Sequence, residues 1–345
     1  MKDATLKKQK KQPNRLSYKG AWKDRLRKFV FGSKEKEGAG KQTVVYILLI
    51  SIGFVYLYPL LYMISRSFMT VSDLLDSSIQ WLPTEFYTDN YKNAARAMDF
   101  WKTFKDSVMV AGIPTLINVV ICAIVGYGFA RYNFPGKKIL MGLLIFSFIL
   151  PPQITMMPTY VFYTDMETWV KETFKLENFQ MIGSLKSFTL PAILGQGLKS
   201  QIFILIFWQF FRQVPQALIE AAKIDGAGHF KSFARIAIPS AAPAILVVFL
   251  FSIVWYWNES YLTQLYVVGT TQDAVSSIST LVVSLSTFET SYASAASQSG
   301  GQMVSINENI KMAGTMLSIL PLLIMYFVLQ RQFVESVDRT GITGE

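Results

Sequence analysis

The chain has 345 residues, of which 51% are hydrophobic and only 16% are charged, and its formal net charge at pH 7 is +10. An apolar fraction of this size, arranged in long blocks, excludes a soluble globular domain and indicates a membrane protein with several spans. A single cysteine, Cys122, and a single histidine, His229, exclude an intrachain disulfide, a cysteine-based zinc site and a site with several histidine ligands.

The N-terminal region is strongly basic. Residues 1–42 hold 14 lysines and arginines against four acids, which accounts for the whole excess of positive charge. We expect a cytoplasmic tail beside anionic lipid headgroups, with a nucleic-acid-binding arm as the alternative. The region is too long, and lacks the cleavage site, for a secretory signal peptide. The stretch GAGKQT at 38–43 lacks two residues that a phosphate-binding loop needs, so we do not expect this chain to hydrolyse ATP.

Six apolar stretches follow, each close to the roughly 20 residues that a helix needs to cross a bilayer. Lipid offers no hydrogen-bond partners to the backbone, so each stretch must be helical. The predicted fold is therefore an all-α polytopic membrane protein with six transmembrane helices. The predicted spans are 43–64, 107–130, 139–162, 188–211, 242–263 and 311–330.

The charges of the connections predict the orientation. Loops 131–138 and 212–241 are net basic, whereas segments 65–106, 164–187 and 264–310 are net acidic. By the positive-inside rule, the basic loops and both termini face the cytoplasm. This gives a basic tail at 1–42, a transmembrane domain at 43–333 and a cytoplasmic C-terminal tail at 334–345.

The three acidic segments differ in composition. Segment 65–106 mixes aromatic and charged residues and is expected to fold as a small outer cap. Segment 164–187 has apolar residues at helical spacing, which predicts a short amphipathic helix on the outer surface. Residues 285–302 are rich in Ser, Ala and Gly, and we expect them to be mobile or shaped by a partner.

Three charged residues lie in or near the spans. Glu259 and Lys311 fall close to outer ends, where snorkelling or interfacial pairing is the simpler interpretation. Lys199 falls within a predicted span and either faces a polar cavity or marks a broken helix. The neighbouring Gly195 and Gly197 favour local unwinding, and unwound segments line cavities in transporters.

Trp255, Tyr256, Trp257 and Asn258 form a second candidate part of a substrate pathway. Aromatic rings offer flat apolar faces to a sugar, and an amide both donates and accepts hydrogen bonds. An aromatic belt at the outer membrane interface is the alternative interpretation.

The stretch IEAAKIDGAGHFKSFARIAIP at 219–239 is polar, although apolar spans lie on both sides of it. Pro215 can open a helix, Gly226 and Gly228 permit a sharp turn, and a second helical piece runs to Pro239. The sequence therefore predicts a cytoplasmic helix–turn–helix, a unit that can bind in a groove on another protein.

The spacing in this stretch resembles the EAA signature of permease subunits of ATP-binding-cassette (ABC) importers. Glu220-Ala221-Ala222 is followed after three residues by Gly226, and Ile236 and Ile238-Pro239 come after nine more. Ile238 replaces the usual Leu. The match looks most like the carbohydrate-importer branch, because further pieces extend over nearly all of 55–345, among them Leu82-Pro83, Asn90-Tyr91, Phe134-Pro135-Gly136, Trp257-Asn258 and Gln330-Arg331.

The resemblance implies a subunit of a bacterial cell-membrane importer of type I permease fold, and not an enzyme. Its implied partners are a second, similar permease subunit, two ATPase subunits and an external solute-binding protein. ATP and Mg²⁺ would be used by the ATPase subunits, with no cofactor or metal on this chain. The residues implied to couple ATPase closure to alternating access are Glu220, Ala221, Ala222, Asp225, Gly226, Ala227, Phe230, Phe233, Ile236 and Pro239, with Glu220 as ion-pair partner and Phe230 and Phe233 as apolar anchors.

Two alternatives remain open at this point. The EAA signature alone does not exclude an ABC permease for a non-sugar solute. A secondary carrier working without ATP is a less favoured alternative, because it would call for relays of intramembrane ionisable residues, which the sequence lacks.

Overall fold

A computed structural model describes residues 29, 32–33, 36–37, 39–79, 81–268, 278–298 and 306–342. Most of the basic tail and the end of the C-terminal tail lie outside these residues. The chain divides into two compact units between Met63 and Ile64. Over the described residues the elements are β1 (Gly32–Ser33), β2 (Lys36–Glu37), α1 (Ala39–Ser67), α2 (Val71–Leu75), α3 (Asp89–Ala97), α4 (Phe100–Arg131), α5 (Lys137–Ile149), α6 (Pro152–Phe174), α7 (Lys186–Ile193), α8 (Ser200–Gln213), α9 (Gln216–Ile224), α10 (His229–Ser232), π1 (Phe233–Ala237), α11 (Ile238–Ser240), α12 (Ala242–Asn258), π2 (Thr263–Val268), α13 (Leu281–Ser286), α14 (Phe288–Gln298) and α15 (Glu308–Ile342).

The first unit contains the two short strands, which pair antiparallel, and most of α1. Along the apolar part of α1 no side chain is buried within the chain. A helix of this composition would be unstable in water, and it is stable only where lipid or another membrane protein covers its apolar surface.

The second unit is organised around α4, which packs against α8 and α12. Two apolar clusters form the core along this helix. One surrounds Phe203, Phe207 and Phe211 on α8, and the other surrounds Tyr256 and Trp257 at the end of α12. Because α4 contributes residues to both clusters, it positions the two helices that contain the candidate functional residues.

The described residues contain three continuous helices that are long and apolar enough to cross a membrane, and up to six spans if three bent pairs are each counted as one. The continuous helices contain the predicted spans 43–64, 107–130 and 311–330. The predicted span 139–162 is bent, because α5 and α6 meet at an angle of 104°. Pro151 and Pro152 explain the bend, since proline removes a backbone donor and disfavours helix in the preceding residue.

Two further boundaries differ from the prediction. The span predicted at 188–211 is interrupted between α7 and α8, so the backbone over 194–199 is not helical. The span predicted at 242–263 ends as an α-helix at Asn258, and the chain resumes as a π-helical segment at Thr263. The first of these breaks lies where Gly195 and Gly197 favour unwinding in the sequence.

The cap segment folds around buried polar side chains. Asp73 is buried and accepts hydrogen bonds from the Thr84 hydroxyl at 2.5 Å and from the Thr70 amide at 3.2 Å. The Thr84 hydroxyl is the main cause that lowers the pKa of the Asp73 carboxyl below its ordinary value. Asn90 and Asn309 both donate to the Met69 carbonyl, at 2.9 and 3.0 Å, which joins the cap to α15.

The other two acidic segments contain helices, and the prediction for the first of them needs correction. Residues 164–174 do not form a separate short helix, because they continue α6, which ends at Lys175 with a left-handed backbone (φ 55°). Residues 285–298, which we expect to be mobile or shaped by a partner, form the end of α13 and all of α14. Alanine and serine are compatible with a helix, and Phe288 and Tyr292 hold α14 against the core. Residues 299–302 lie outside the described residues.

Candidate functional site

The polar stretch at 216–240 is a helical hairpin, as the sequence predicts. Helix α9 ends in a turn where Gly226 has φ 81° and the Ala227 amide donates to the Ala222 carbonyl at 2.8 Å. A left-handed residue beside such a bond is the Schellman ending of a helix, which glycine adopts without steric cost. A Cβ atom built on Gly226 would have no neighbour within 4 Å, so the turn is also open.

The second half of the hairpin is formed by α10, π1 and α11. Phe233 is half-buried, with its ring centroid 4.9 Å from that of Tyr127 on α4. Phe230 is 82% exposed, and Ile224 on the first half is 86% exposed. The two phenylalanines are therefore not a pair of exposed anchors: Phe233 fixes the hairpin to the chain, and Phe230 is available to a partner.

The base of the hairpin is tied to the end of α4. Arg131 donates from Nη2 to the Val214 carbonyl at 2.6 Å, and the Tyr132 hydroxyl lies 3.1 Å from His229 Nδ1. Glu220 accepts a hydrogen bond from Gln216 at 3.0 Å and remains exposed. Because the start of the hairpin and its second half both contact α4 or the residue after it, a push on its exposed surface would be transmitted to the transmembrane helices.

The second feature is the break over 194–199, between α7 and α8. Buried Asn118 of α4 satisfies part of its backbone, because its Nδ2 donates to the Leu198 carbonyl at 3.2 Å. Asn118 Oδ1 accepts from the hydroxyl of Ser200 at 2.6 Å and from the thiol of Cys122 at 3.2 Å. Non-helical backbone is tolerated at membrane depth only where protein or a cavity satisfies it, and Asn118 provides that here.

Helix α12 holds the same break from the other side. The buried Tyr256 hydroxyl accepts a hydrogen bond from the Leu198 amide at 2.8 Å. A Cβ on Gly197 would lie 2.9 Å from that hydroxyl, 3.0 Å from Asn118 Oδ1 and 3.1 Å from the Ala192 Cα. Glycine is therefore needed at 197, because the backbone there passes too close to Tyr256, Asn118 and Ala192 for a larger residue. The break is a packed structure rather than a loose segment.

A cavity of about 360 Å³ opens beside the break. Its volume lies in the range of small-molecule sites. Lys199, at the last position of the break, lines it with a left-handed backbone (φ 58°). The other lining residues are uncharged and include hydroxyl, amide and aromatic side chains; they are Ser147, Phe148, Leu150, Pro152, Thr155, Met156, Thr159, Tyr163, Ser187, Phe188, Pro191, Gln196, Gly197, Leu198, Gln201, Tyr256, Leu262 and Tyr266.

Comparison with known families decides the class of the protein. Residues 118–339 match the family described as binding-protein-dependent transport system inner membrane component. The chain belongs to this family. It is an ABC importer permease, embedded in the membrane, and it is a transport subunit rather than an enzyme.

The permease has curated relatives of moderate identity. It is 27% identical over 306 residues to the osmoprotective compounds uptake permease protein GgtD of Synechocystis, covering 85% of this chain and 89% of that one. It is 26% identical to the diacetylchitobiose uptake system permease protein NgcG of Streptomyces coelicolor, covering 86% and 87%. A solved bacterial ABC transporter for the import of alginate shares the fold, with a TM-score of 0.66 at 18% identity over 85% of this chain and 96% of that one.

The permease places the predicted pathway residues in two environments. Lys199 and Tyr256 line the cavity together, whereas Trp255, Trp257 and Asn258 do not. Trp257 is buried and donates from Nε1 to the Ser318 carbonyl at 3.3 Å, so neither Tyr256 nor Trp257 belongs to a belt at the lipid interface. Glu259 accepts from the Leu262 amide, and Lys311 pairs with Glu289, in keeping with local roles.

The structure also adds two residues that the sequence reading missed, Asn118 and Ser200. The sequence does contain a sign of their importance: an amide and a hydroxyl within apolar stretches must find hydrogen-bond partners when they are buried. The partner could not be read from the sequence, since Asn118 and Ser200 lie 82 positions apart. Over the described part of the permease, no group of three or more His, Cys, Asp and Glu side chains is close enough to hold a metal ion.

Proposed function

We propose that this permease is one subunit of an ATP-driven importer for a sugar or oligosaccharide, and that the hairpin 216–240 receives the motion of the ATPase subunits. The observation that supports the coupling role most directly is the exposed surface of the hairpin. Glu220, Ala221, Ile224 and Phe230 are all exposed on an element whose base is fixed to α4.

The sugar assignment is supported by the names of several relatives. Besides the diacetylchitobiose system, they include permeases of Bacillus subtilis for polygalacturonan and rhamnogalacturonan, and of Halalkalibacterium halodurans for arabinooligosaccharides, each 25% identical to this chain. A broader class of small osmoprotective solutes is the second candidate, because the Synechocystis relative is named for such compounds.

The proposed assembly contains a second, similar permease subunit, two ATPase subunits and an external solute-binding protein. ATP and Mg²⁺ would be bound by the ATPase subunits and not by this chain. The net charges of the loops support a cytoplasmic hairpin with both termini on the same side. Closure of the ATPase dimer would then move the hairpin, and α4 would transmit the movement to the helices around the cavity, giving alternating access.

Each part of the hairpin would have a separate task. Phe230 and Ile224 would enter an apolar groove of an ATPase subunit, while Glu220 would pair with a lysine or arginine there. Exposed Ala221 would allow the two backbones to approach closely. The Gly226 turn would keep the two helical halves in a fixed angle, so that force on one half moves both.

Uptake of a labelled oligosaccharide into proteoliposomes that contain the complete importer tests the proposal. We expect uptake to require ATP. Glu220→Gln should lower uptake at least about tenfold through loss of a charge-assisted contact, and Gly226→Pro should abolish it while the protein remains in the membrane, because proline cannot adopt φ 81°. Glu172→Gln, the same substitution at an exposed position of α6, should leave uptake unchanged.

A cross-link from a cysteine placed at Ala221 provides an independent readout. It should join this chain to an ATPase subunit in inside-out vesicles. Normal uptake by Gly226→Pro, or cross-linking of position 221 only to reagents on the external side, would contradict the coupling role. ATP-dependent import of osmoprotective solutes with no saccharide uptake would favour the second candidate.

A further inference from the structure

One charged residue, Lys199, is among those that line the cavity beside the broken helix. Of the residues that line it, only Lys199 is ionisable at neutral pH with a full charge, and none is a carboxylate. Within the described residues the Lys199 ammonium group forms no ion pair. Its nearest recorded partner is the face of Trp255, whose ring centroid lies 5.7 Å from Nζ.

The position of Lys199 is fixed by its neighbours in sequence. The backbone of Leu198 is held on both sides, by Asn118 and by Tyr256, and the hydroxyl of Ser200 is held by Asn118. Lys199 itself has a left-handed backbone, which is uncommon for a residue with a Cβ atom. The backbone of Lys199 is therefore held on a rigid support at the edge of the cavity.

Lys199 falls within the predicted span 188–211, where an ammonium group without a counter-charge is costly, and such residues mark the pathways of ions or substrates. The aromatic face of Trp255 offsets part of the cost, since a cation within about 6 Å of a ring is attracted to it. A neutral sugar would offer the ammonium group only hydroxyl acceptors. A carboxylate on the sugar would supply the missing counter-charge.

The rest of the lining suits a saccharide that carries such a carboxylate. Gln196 and Gln201 have amide groups that both donate and accept, which matches sugar hydroxyls. Tyr163 and Phe188 add aromatic side chains to the lining, and aromatic rings suit the apolar side of a pyranose. The cavity therefore combines one cation with neutral polar and aromatic groups.

The geometry points to an acidic oligosaccharide, one that contains uronic acid units, as the substrate, with Lys199 as the residue that recognises the carboxylate. This inference rests on the proposed function, because it presumes that the cavity belongs to the pathway of a sugar importer. It assigns Lys199 a role in specificity and not in the coupling to ATP hydrolysis.

The test compares a uronic acid trisaccharide with its fully methyl-esterified form, which has the same sugar skeleton without the charge. Both are offered to proteoliposomes that contain the complete importer and its solute-binding protein. Since every variant uses the same binding protein, the ratio of variant to wild-type uptake isolates the permease. A neutral oligosaccharide panel is measured alongside.

Lys199→Gln should lower uptake of the acidic trisaccharide about tenfold or more and leave uptake of its ester unchanged. Lys199→Arg should retain most of the uptake, because it keeps the charge. Lys186→Gln is the matched control, since Lys186 also lies over an aromatic ring, 4.7 Å from the centroid of Phe179, but does not line the cavity. Lys186→Gln should change neither the uptake of the acidic trisaccharide nor the uptake of its ester.

Three outcomes would overturn the inference. Equal losses of uptake of the acid and the ester in Lys199→Gln would give Lys199 a structural role or a carboxylate partner in another subunit, and no effect on either would show that it takes no part in recognition. Wild-type uptake of neutral oligosaccharides without uptake of the acid would also overturn it, while the proposed function would stand. ATP-dependent uptake of no saccharide in the panel would overturn the proposed function itself.

Discussion

Two interruptions of helical structure, both rich in glycine, differ in how they are held. The break at 194–199 is crowded, because Gly197 has three atoms of other residues within 3.1 Å of its missing Cβ, and buried Asn118 and Tyr256 bond to the backbone of Leu198. The turn at Gly226 is open, with no atom within 4 Å of the same position. The chain determines the first break through its own packing, whereas the second has a free surface.

The difference indicates separate roles. A break that is fully satisfied within one chain has a fixed geometry and can present a side chain such as Lys199 to a cavity. A turn that is open on one side can change its surroundings without breaking internal contacts, which suits an element that binds and releases another protein. Substitutions at the two places should therefore differ in their effect on stability.

Asn118→Leu is expected to have the largest effect on stability. It would leave the Leu198 carbonyl and the Ser200 hydroxyl without their partner, at a cost of about 3 kcal/mol in the free energy of unfolding. Thermal unfolding of the purified protein in detergent measures the shift. Asn→Leu at exposed Asn178 is the control, and an unchanged midpoint for Asn118→Leu would show that the break is not held as described.

Gly197→Ala should rank next. The added methyl group would lie against the Tyr256 hydroxyl and the Ala192 backbone, and overpacking of this kind costs about 2 kcal/mol. Gly228→Ala is the matched control, because that residue has φ −66° and no atom within 4 Å. Equal midpoints for the two alanine variants would remove the contrast between the crowded break and the open turn.

Gly226→Ala should have a smaller effect that comes from the backbone and not from packing. The cost of a left-handed conformation for a residue with a Cβ atom is about 1 kcal/mol. Gly226→Asn should lower the midpoint of thermal unfolding less than Gly226→Ala does, since asparagine tolerates this conformation better than alanine. The two midpoints, measured in parallel, distinguish strain from steric contact, and a larger loss for asparagine would contradict the explanation.

Asp73 extends the comparison to the cap. It is a buried polar group outside the spans whose hydrogen bonds are made within the chain, as at the break, and it can also titrate. Its pKa is lowered in the folded protein, chiefly by the Thr84 hydroxyl, so the stability it contributes is present above the unfolded value of about 4 and is lost as the pH falls through the folded pKa. The midpoint difference between wild type and Asp73→Asn should therefore narrow between pH 5 and pH 3. A constant difference over this range would contradict the linkage.

The sequence predicted those parts of the fold that depend on local pattern. The hairpin at 216–240, its glycine turn and the continuous helices α1, α4 and α15 follow from hydropathy, proline and glycine placement. The unwinding near Lys199 was also indicated by Gly195 and Gly197. Each of these features is encoded within one short stretch of residues.

The missed features depend on contacts between distant stretches. The 104° bend after α5 needs the direction of two helices, which the Pro151-Pro152 pair permits but does not specify. The burial of Phe233 depends on Tyr127, and the buried state of Trp257 depends on α15. The sequence offered a polar cavity at Lys199 as one of two interpretations, but the other residues that line it include members of α6, α7 and α12, which no single stretch encodes.

The sole thiol of the chain, at Cys122, is buried and donates to Asn118. Maleimide reagents react with accessible thiolates, so an enclosed thiol of this kind should resist them. A cysteine introduced at an exposed position would then be the preferred point of attachment for a spin label or a fluorophore. Distance changes during the transport cycle could be followed in this permease without first removing a native cysteine.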